Sequence, residues 1–62
     1  MKEIEMRRYA NKDVVGQGLD GLFIEGHVEE KQGIPHVVEE GNDGKCTPYD
    51  QIRWLVRAYR YC

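Results

Sequence analysis

Several features that would place a chain in a large functional class are missing from this 62-residue sequence. It has no apolar run near the ~20 residues that span a bilayer. Its charged opening, MKEIEMRRYANK, lacks the apolar segment of a secretory signal. The net charge of −2 provides no global attraction for nucleic acid. We therefore expect a cytoplasmic protein with no membrane partner.

Catalytic patterns are also missing. No Ser/His/Asp or Cys/His spacing typical of nucleophilic catalysis is present, and a chain of this size buries only about 60% of its unfolded surface. Such a small core leaves little room for a ligand cleft, which occupies roughly 300–1,000 Å³. We therefore expect no enzymatic activity and no cofactor. The predicted core residues are Ile4, Met6, Leu22, Ile24, Val28, Ile34, Val38, Ile52, Leu55, Val56 and Tyr59.

Alternation of apolar and polar residues predicts three strands. Residues 3–9 read as the first, with a short helix as the alternative, and residues 10–21 as a connection with an optional edge strand at Val14 and Val15. Residues 22–30 and 34–40 predict a hairpin whose three-residue loop, 31–33, ends in Gly as in a G1 bulge. This register sets Val28 opposite His36 and Gly26 opposite Val38, and turns Phe23 and the neighbouring acids away from the core.

The segment from Thr47 onward carries signals for a helix over residues 48–61. Thr47 suits the N-cap, Pro48 the first helical position and Asp50 the first turn. Apolar residues then recur at helical spacing. The sequence thus predicts one α+β domain over residues 1–62: a small three-stranded, mainly antiparallel sheet packed against one C-terminal amphipathic helix.

The two cysteines, Cys46 and Cys62, flank that predicted helix. At about 1.5 Å per residue they would lie some 24 Å apart, whereas a disulfide needs Cα atoms within roughly 7 Å. We therefore expect both thiols to be unpaired, as suits a reducing compartment.

Three weaker motifs favour plain structural readings. Residues 16–21 match G-x-G-x-x-G but precede a strand pattern instead of a helix, which favours a flexible connection over a phosphate site. Residues 39–50 partly resemble a calcium loop, but the third ligand position is Gly41. His27, His36 and Cys46 lack the spacing of a metal site. We expect no metal.

Two groups of residues are candidates for partner binding. Arginine and aromatic residues, which are enriched at binding hot spots, occupy faces of the predicted helix away from its apolar arc, and six acids accumulate between residues 25 and 43. An equally open alternative is that Trp54 closes the core or that the arginines pair with the acids. The candidates are Arg53, Trp54, Arg57, Arg60 and Tyr61 on the helix, and Glu25, Glu29, Glu30, Glu39 and Glu40 on the hairpin.

The opening of the chain resembles the YopX-like family of small phage and prophage proteins. Met1, Lys2, Glu3, Ile4, Met6, Arg7 and Tyr9 fit the family's start, and LFIEGHV followed by IPHVVEE is similar to its hairpin. The family's later Gly-Gln-Tyr-Thr-Gly-type signature is absent. The resemblance implies a phage or mobile-element origin and carries over no site residues.

These observations support one function and one alternative. We expect a non-enzymatic phage-type protein, monomeric or homodimeric, that binds a host protein and inhibits host defence or nucleic-acid machinery, as anti-CRISPR proteins do. The alternative is single-stranded nucleic-acid binding, with bases stacked beside the arginines of the C-terminal helix.

Overall fold

A computed structural model describes residues 1–59 and shows a mostly β architecture. The elements are α1 Glu3–Arg7, β1 Asp13–Gly18, β2 Phe23–Lys31, β3 Ile34–Glu39, β4 Lys45–Pro48 and β5 Ile52–Arg57. The short helix precedes a five-stranded antiparallel sheet of order β4-β3-β2-β1-β5, so the last strand returns to pair with the first. One 3-10 turn, Glu40–Asn42, precedes β4, and another, Tyr49–Gln51, precedes β5.

The predicted C-terminal helix is wrong, and with it the predicted α+β class with a three-stranded sheet. After Thr47 and Pro48 the chain makes only one 3-10 turn and then extends as β5, whose β-branched and aromatic residues suit a strand. The register of β5 against β1 shifts between Gln17 and Gly18: Gly18 pairs with Ile52, but Gln17 pairs with Trp54. Arg53 is therefore an extra, bulged residue.

The N-terminal segment also differs from its prediction. Residues 3–9 do not form a strand; the alternative of a short helix is confirmed as α1, with acids in its first turn and Arg7 in its last, as the helix dipole favours. The predicted connection over residues 10–21 contains β1, which lies between β2 and β5 and is therefore no edge strand. Val14 of β1 is fully buried. At five residues, α1 leaves residues 1–59 without a helix long and apolar enough to cross a membrane.

The hairpin of β2 and β3 is confirmed, but its register is one residue away from the predicted one. Gln32 and Gly33 both have positive φ, 55° and 79°, which defines a two-residue type I′ turn. Lys31 therefore pairs with Ile34, and Val28 faces Val37 instead of His36. Both members of this valine pair are fully buried, which explains why this register is preferred.

The core lies between one face of the sheet and the N-terminal segment. Met6 of α1 is fully buried within it, and Tyr9 and Tyr49 pack against its margin. The buried hydrophobic residues are Met6, Val14, Ile24, Val28, Val37, Val38, Ile52 and Leu55. Val14 and Val37 were not predicted, and the predicted members Ile4, Leu22, Ile34, Val56 and Tyr59 are instead exposed.

The Arg7 side chain connects α1 to the tip of the hairpin of β2 and β3. Its Nε donates to Glu30 Oε1 at 2.9 Å, and its Nη2 donates to Gly33 O at 2.6 Å and to Glu3 Oε1 at 3.0 Å. The hydrogen bond to Glu30, together with both carboxylate charges, raises the pKa of Arg7. The N-terminal segment is thereby held over one face of the sheet. Among residues 1–59, no segment covers the opposite face of β2, β1 and β5, where Phe23 and Val56 are exposed.

Candidate functional site

The arginine and aromatic residues predicted to share a helix lie on or after a strand, β5, instead. Arg53 and Trp54 both line a small cavity of about 190 Å³, together with Glu5, Arg8 and Tyr9. Arg57 stacks on Tyr59, with its Cζ 5.0 Å from the ring centroid. Arg60 and Tyr61 lie outside the described residues.

The open face of the sheet carries exposed apolar side chains instead. Phe23, Gln17 and Trp54 lie side by side across β2, β1 and β5 in the strand register, as do Glu25, Val15 and Val56. Phe23 is 78% exposed and Trp54 40% exposed. We call the depression here the outer groove: a cavity of about 410 Å³ with Phe23 and Trp54 as walls, Val15 as floor, and Glu25 and Glu39 at the rim.

Hydrogen bonds fix the tryptophan wall. Trp54 Nε1 donates to Gln17 Oε1 at 3.2 Å, and Gln17 Nε2 donates to Gly21 O at 2.9 Å. The indole is thus linked through Gln17 to the β1–β2 turn. Because its rotamer is already restricted, less side-chain entropy is lost when a partner binds. Because Phe23 is two strands away and strands are about 4.8 Å apart, its Cα is roughly 10 Å from that of Trp54. The residue that lies between the two rings in the strand register is Gln17.

Glu39 is the half-buried carboxylate of the rim. Its Oε2 accepts a long hydrogen bond, 3.4 Å, from the backbone N–H of Glu25. Its Oε1 is buried and has no hydrogen-bond partner among the described residues. Gly26 permits this close approach of β2 and β3, because a Cβ there would overlap Val38 O. One carboxylate oxygen of Glu39 is thus shielded from solvent, while the other accepts from the backbone.

A second, acidic groove adjoins the first. Its cavity of about 590 Å³ is lined by Asp13, Glu25, His27, Glu39 and Glu40, among others. His27 Nε2 lies 2.7 Å from Glu29 Oε2, and its Nδ1 lies 4.0 Å from Glu40 Oε1. Carboxylates gathered beside an apolar groove produce a negative potential that attracts cations.

The predicted hairpin acids therefore separate into two sets. Glu25, Glu39 and Glu40 border these grooves, and Glu29 reaches them through His27. Glu30 lies elsewhere, in its ion pair with Arg7. Across residues 1–59, no three His, Cys, Asp or Glu side chains are grouped as metal ligands.

The glycine-rich segment has a packing role. Gly16 and Gly18 belong to β1, so the predicted flexible connection is wrong there, while Gly21, at φ 86°, forms the following turn. A Cβ at Gly16 would overlap Trp54 O and lie 2.6 Å from Leu55 Cδ2. Gly16 is thus required for the close contact of β1 with β5 that places Trp54.

Because β5 replaces the helix that was predicted between the two cysteines, the geometric argument against a disulfide does not apply. Cys46 lies in β4 as an exposed free thiol that donates to Gly44 O at 3.3 Å. Cys62 lies outside the described residues.

Sequence reasoning did not identify as functional Phe23 and Val15, which line the groove, or Gln17, which accepts the Trp54 hydrogen bond. The alternation over residues 22–30 did place Phe23 and Glu25 together on the face away from the core, and this is confirmed. An exposed phenylalanine on that face was the available signal. Val15 and Gln17 had no comparable signal, because β1 itself was not predicted as a central strand.

Comparisons with protein-family models, with curated proteins and with solved structures found no match to this chain. The resemblance to the YopX-like family therefore stays a prediction.

Proposed function

We propose that this chain is a non-enzymatic protein-binding module of phage or mobile-element type that uses the outer groove to bind a host protein in the bacterial cytoplasm. The observation that carries the proposal is the exposure of Phe23 and Trp54 on one sheet face, with Val56 beside them. Contiguous exposed apolar side chains mark interaction sites, and aromatic residues dominate binding hot spots. Inhibition of host defence or nucleic-acid machinery is the expected effect.

The charge around the groove favours a protein over a nucleic acid as partner. Glu25 and Glu39 stand at its rim and Glu40 in the adjoining groove, where they would repel phosphates. The helix that was expected to stack bases is replaced by the strand β5, Ile52–Arg57. An acidic surface is instead suited to the basic regions with which host proteins contact nucleic acids.

Capture and reconstitution test this proposal. The tagged chain is used to capture partners from a bacterial host lysate, and each captured protein is purified and its affinity measured. Phe23→Ala removes an exposed wall of the groove, and Ile4→Ala is the matched control, because Ile4 is an exposed apolar residue on α1 outside the groove. We expect Phe23→Ala to weaken binding at least tenfold, about 1.4 kcal/mol, and Ile4→Ala to leave it unchanged.

A partner that binds both variants equally would contradict the proposal, as would a chain that captures no protein. Sedimentation of the free chain shows in the same samples whether it is a monomer or a homodimer. A homodimer dissociated by Phe23→Ala would assign the groove to self-association instead.

A further inference from the structure

Positive charge that no carboxylate of the chain pairs with is gathered between α1 and the edge strand β5. The cavity of about 190 Å³ at this place, which we call the basic cavity, is lined among others by Glu5, Arg8, Tyr9, Arg53 and Trp54. Both arginines are exposed, and across residues 1–59 neither forms an ion pair, not even with Glu5 in the same cavity. The two guanidinium groups are therefore available to an external anion.

The two arginines reach the basic cavity from different elements. Arg8 is the C-cap residue of α1, and Arg53 is the extra residue of the bulge in β5. Because a bulge redirects side chains relative to regular alternation, Arg53 and its sequence neighbour Trp54 line the same cavity. The Tyr9 hydroxyl donates a long hydrogen bond, 3.5 Å, to Leu55 O and connects the segment after α1 to β5.

A carboxylate is the anion that the basic cavity fits. Its volume is below the roughly 300–1,000 Å³ of clefts that hold whole small molecules, so it accommodates one functional group and not a nucleotide. Guanidinium donates in a planar fork that matches the two oxygens of a carboxylate. Since Glu5 offsets one arginine, the lining side chains leave one net positive charge, which matches a carboxylate better than a phosphoryl group of charge about −1.5 to −2.

Trp54 connects the basic cavity with the outer groove, because it lines both. The carboxylates of the outer groove, Glu25 and Glu39, come from β2 and β3, whereas the basic cavity lies at the β5 edge of the sheet. A partner that covers the outer groove therefore meets negative charge on one side of Trp54 and positive charge on the other. We propose, building on the proposed function, that the basic cavity binds the carboxylate of an aspartate or glutamate side chain of that partner protein and thereby fixes its orientation on the groove.

Trp54 is the single tryptophan of the chain, so its fluorescence reports on the basic cavity directly. The probes are three synthetic peptides with blocked ends, Gly-Ser-Leu-X-Leu-Ser-Gly, in which X is glutamate, glutamine or phosphoserine. Titration into the full chain at low salt should give an affinity roughly fivefold higher for glutamate than for glutamine, as expected for exposed ion pairs. The difference should shrink at high salt, and the side-chain Nε–Hε resonances of Arg8 and Arg53 should move with the glutamate peptide alone of these two.

Three variants locate the contact. Arg53→Gln should abolish the preference for glutamate over glutamine. Arg57→Gln is the matched control and should retain it, because Arg57 is another exposed arginine of β5 and stacks on Tyr59 outside the basic cavity. Glu5→Gln removes the carboxylate that offsets the arginines, so it should increase the affinity for the glutamate peptide. Circular dichroism checks that each variant is folded.

Equal affinity for the glutamate and glutamine peptides would overturn the inference, as would no response to any peptide at millimolar concentration. So would a preference that survives Arg53→Gln, or one that Arg57→Gln abolishes as completely, since overall charge would then explain it. Tighter binding of the phosphoserine peptide than of the glutamate peptide would overturn the assignment of a carboxylate. A reconstituted partner separates the two proposals: indifference to Phe23→Ala contradicts the proposed function, whereas a response to Phe23→Ala with indifference to Arg53→Gln contradicts only the carboxylate site.

Discussion

Replacing Gly16 by alanine tests the close contact between β1 and β5 on which the outer groove depends. The new methyl group would overlap Trp54 O and lie 2.6 Å from Leu55 Cδ2. The leucine side chain can rotate away, but the carbonyl belongs to the backbone of the neighbouring strand. We therefore expect β5 to move away from β1 and part of the hydrogen-bond ladder between them to weaken.

The expected loss of stability is large for a chain of this size. Overpacking of a well-packed site costs about 1–3 kcal/mol, and each weakened backbone hydrogen bond adds about 0.5–1.5 kcal/mol, so we expect Gly16→Ala to cost about 3 kcal/mol. The free energy of unfolding of a 62-residue domain is roughly 3–9 kcal/mol at 0.05–0.15 kcal/mol per residue. Since 1 kcal/mol shifts Tm by about 4–8 °C in small domains, the midpoint should fall by roughly 12–24 °C.

Thermal unfolding followed by far-UV circular dichroism measures this effect. Gly41→Ala is the matched control, because a Cβ at Gly41 meets no atom within 4 Å and its backbone has no positive φ. Alanine there restricts the unfolded chain, so its midpoint should stay unchanged or rise slightly, by the equivalent of at most about 1 kcal/mol. If Gly16→Ala melts within about 4 °C of the natural chain, the effect of roughly 1 kcal/mol, the close contact is not needed and the reasoning is refuted.

Two further substitutions test the core and the hairpin turn. Met6→Ala should lower the free energy of unfolding by about 2–5 kcal/mol, because the Met6 side chain is fully buried. Urea unfolding measures this loss, with Met6→Leu as the volume-conserving control. Equal stability of the two variants would contradict the placement of α1. Gln32→Asn should stabilise the hairpin by about 0.5–1 kcal/mol, because Gln32 has φ 55° and asparagine adopts the left-handed region more readily. A lower midpoint in the same urea assay would contradict the type I′ turn.

The parts of the fold that could be predicted are those determined by local pattern. The alternation over residues 22–30 and 34–40 identifies β2 and β3 and the outward position of Phe23. Their register could not be obtained in the same way, because Lys31-Gln32-Gly33 is compatible with loops of two or three residues. The contact that decides it is Val28 against Val37, a pairing across the turn that local pattern does not weigh.

The C-terminal strand shows where local signals fail. Thr47, Pro48 and Asp50 do initiate a helical turn, but the turn is of 3-10 type and ends at Gln51. What extends the chain beyond it is pairing with β1, more than 30 residues earlier in the sequence. The glycine-rich segment that contains β1 resembled a connection, so β1 was not predicted as a central strand. The prediction therefore lacked the strand whose pairing with residues 52–57 overrides their helical propensity.

The candidate site was predictable in charge but not in shape. Glu25, Glu39 and Glu40 were identified as an acidic surface, and they border adjacent grooves. Composition could not show that Glu30 would be paired with Arg7, or that Phe23 would stand across β1 from Trp54. Both facts depend on which strands are neighbours in the sheet, which is a property of the topology.

The bulge at Arg53 links the failed prediction to the site. With strict alternation, Ile52 and Trp54 would share one face of β5, and Leu55 would point to the other. Because Arg53 is an extra residue, Ile52 and Leu55 both reach the core, and Trp54 is turned outward beside Gln17. The spacing of three between buried residues, which resembled a helix, is thus the consequence of a bulge that aims the tryptophan into the outer groove, a use of bulges common next to functional sites.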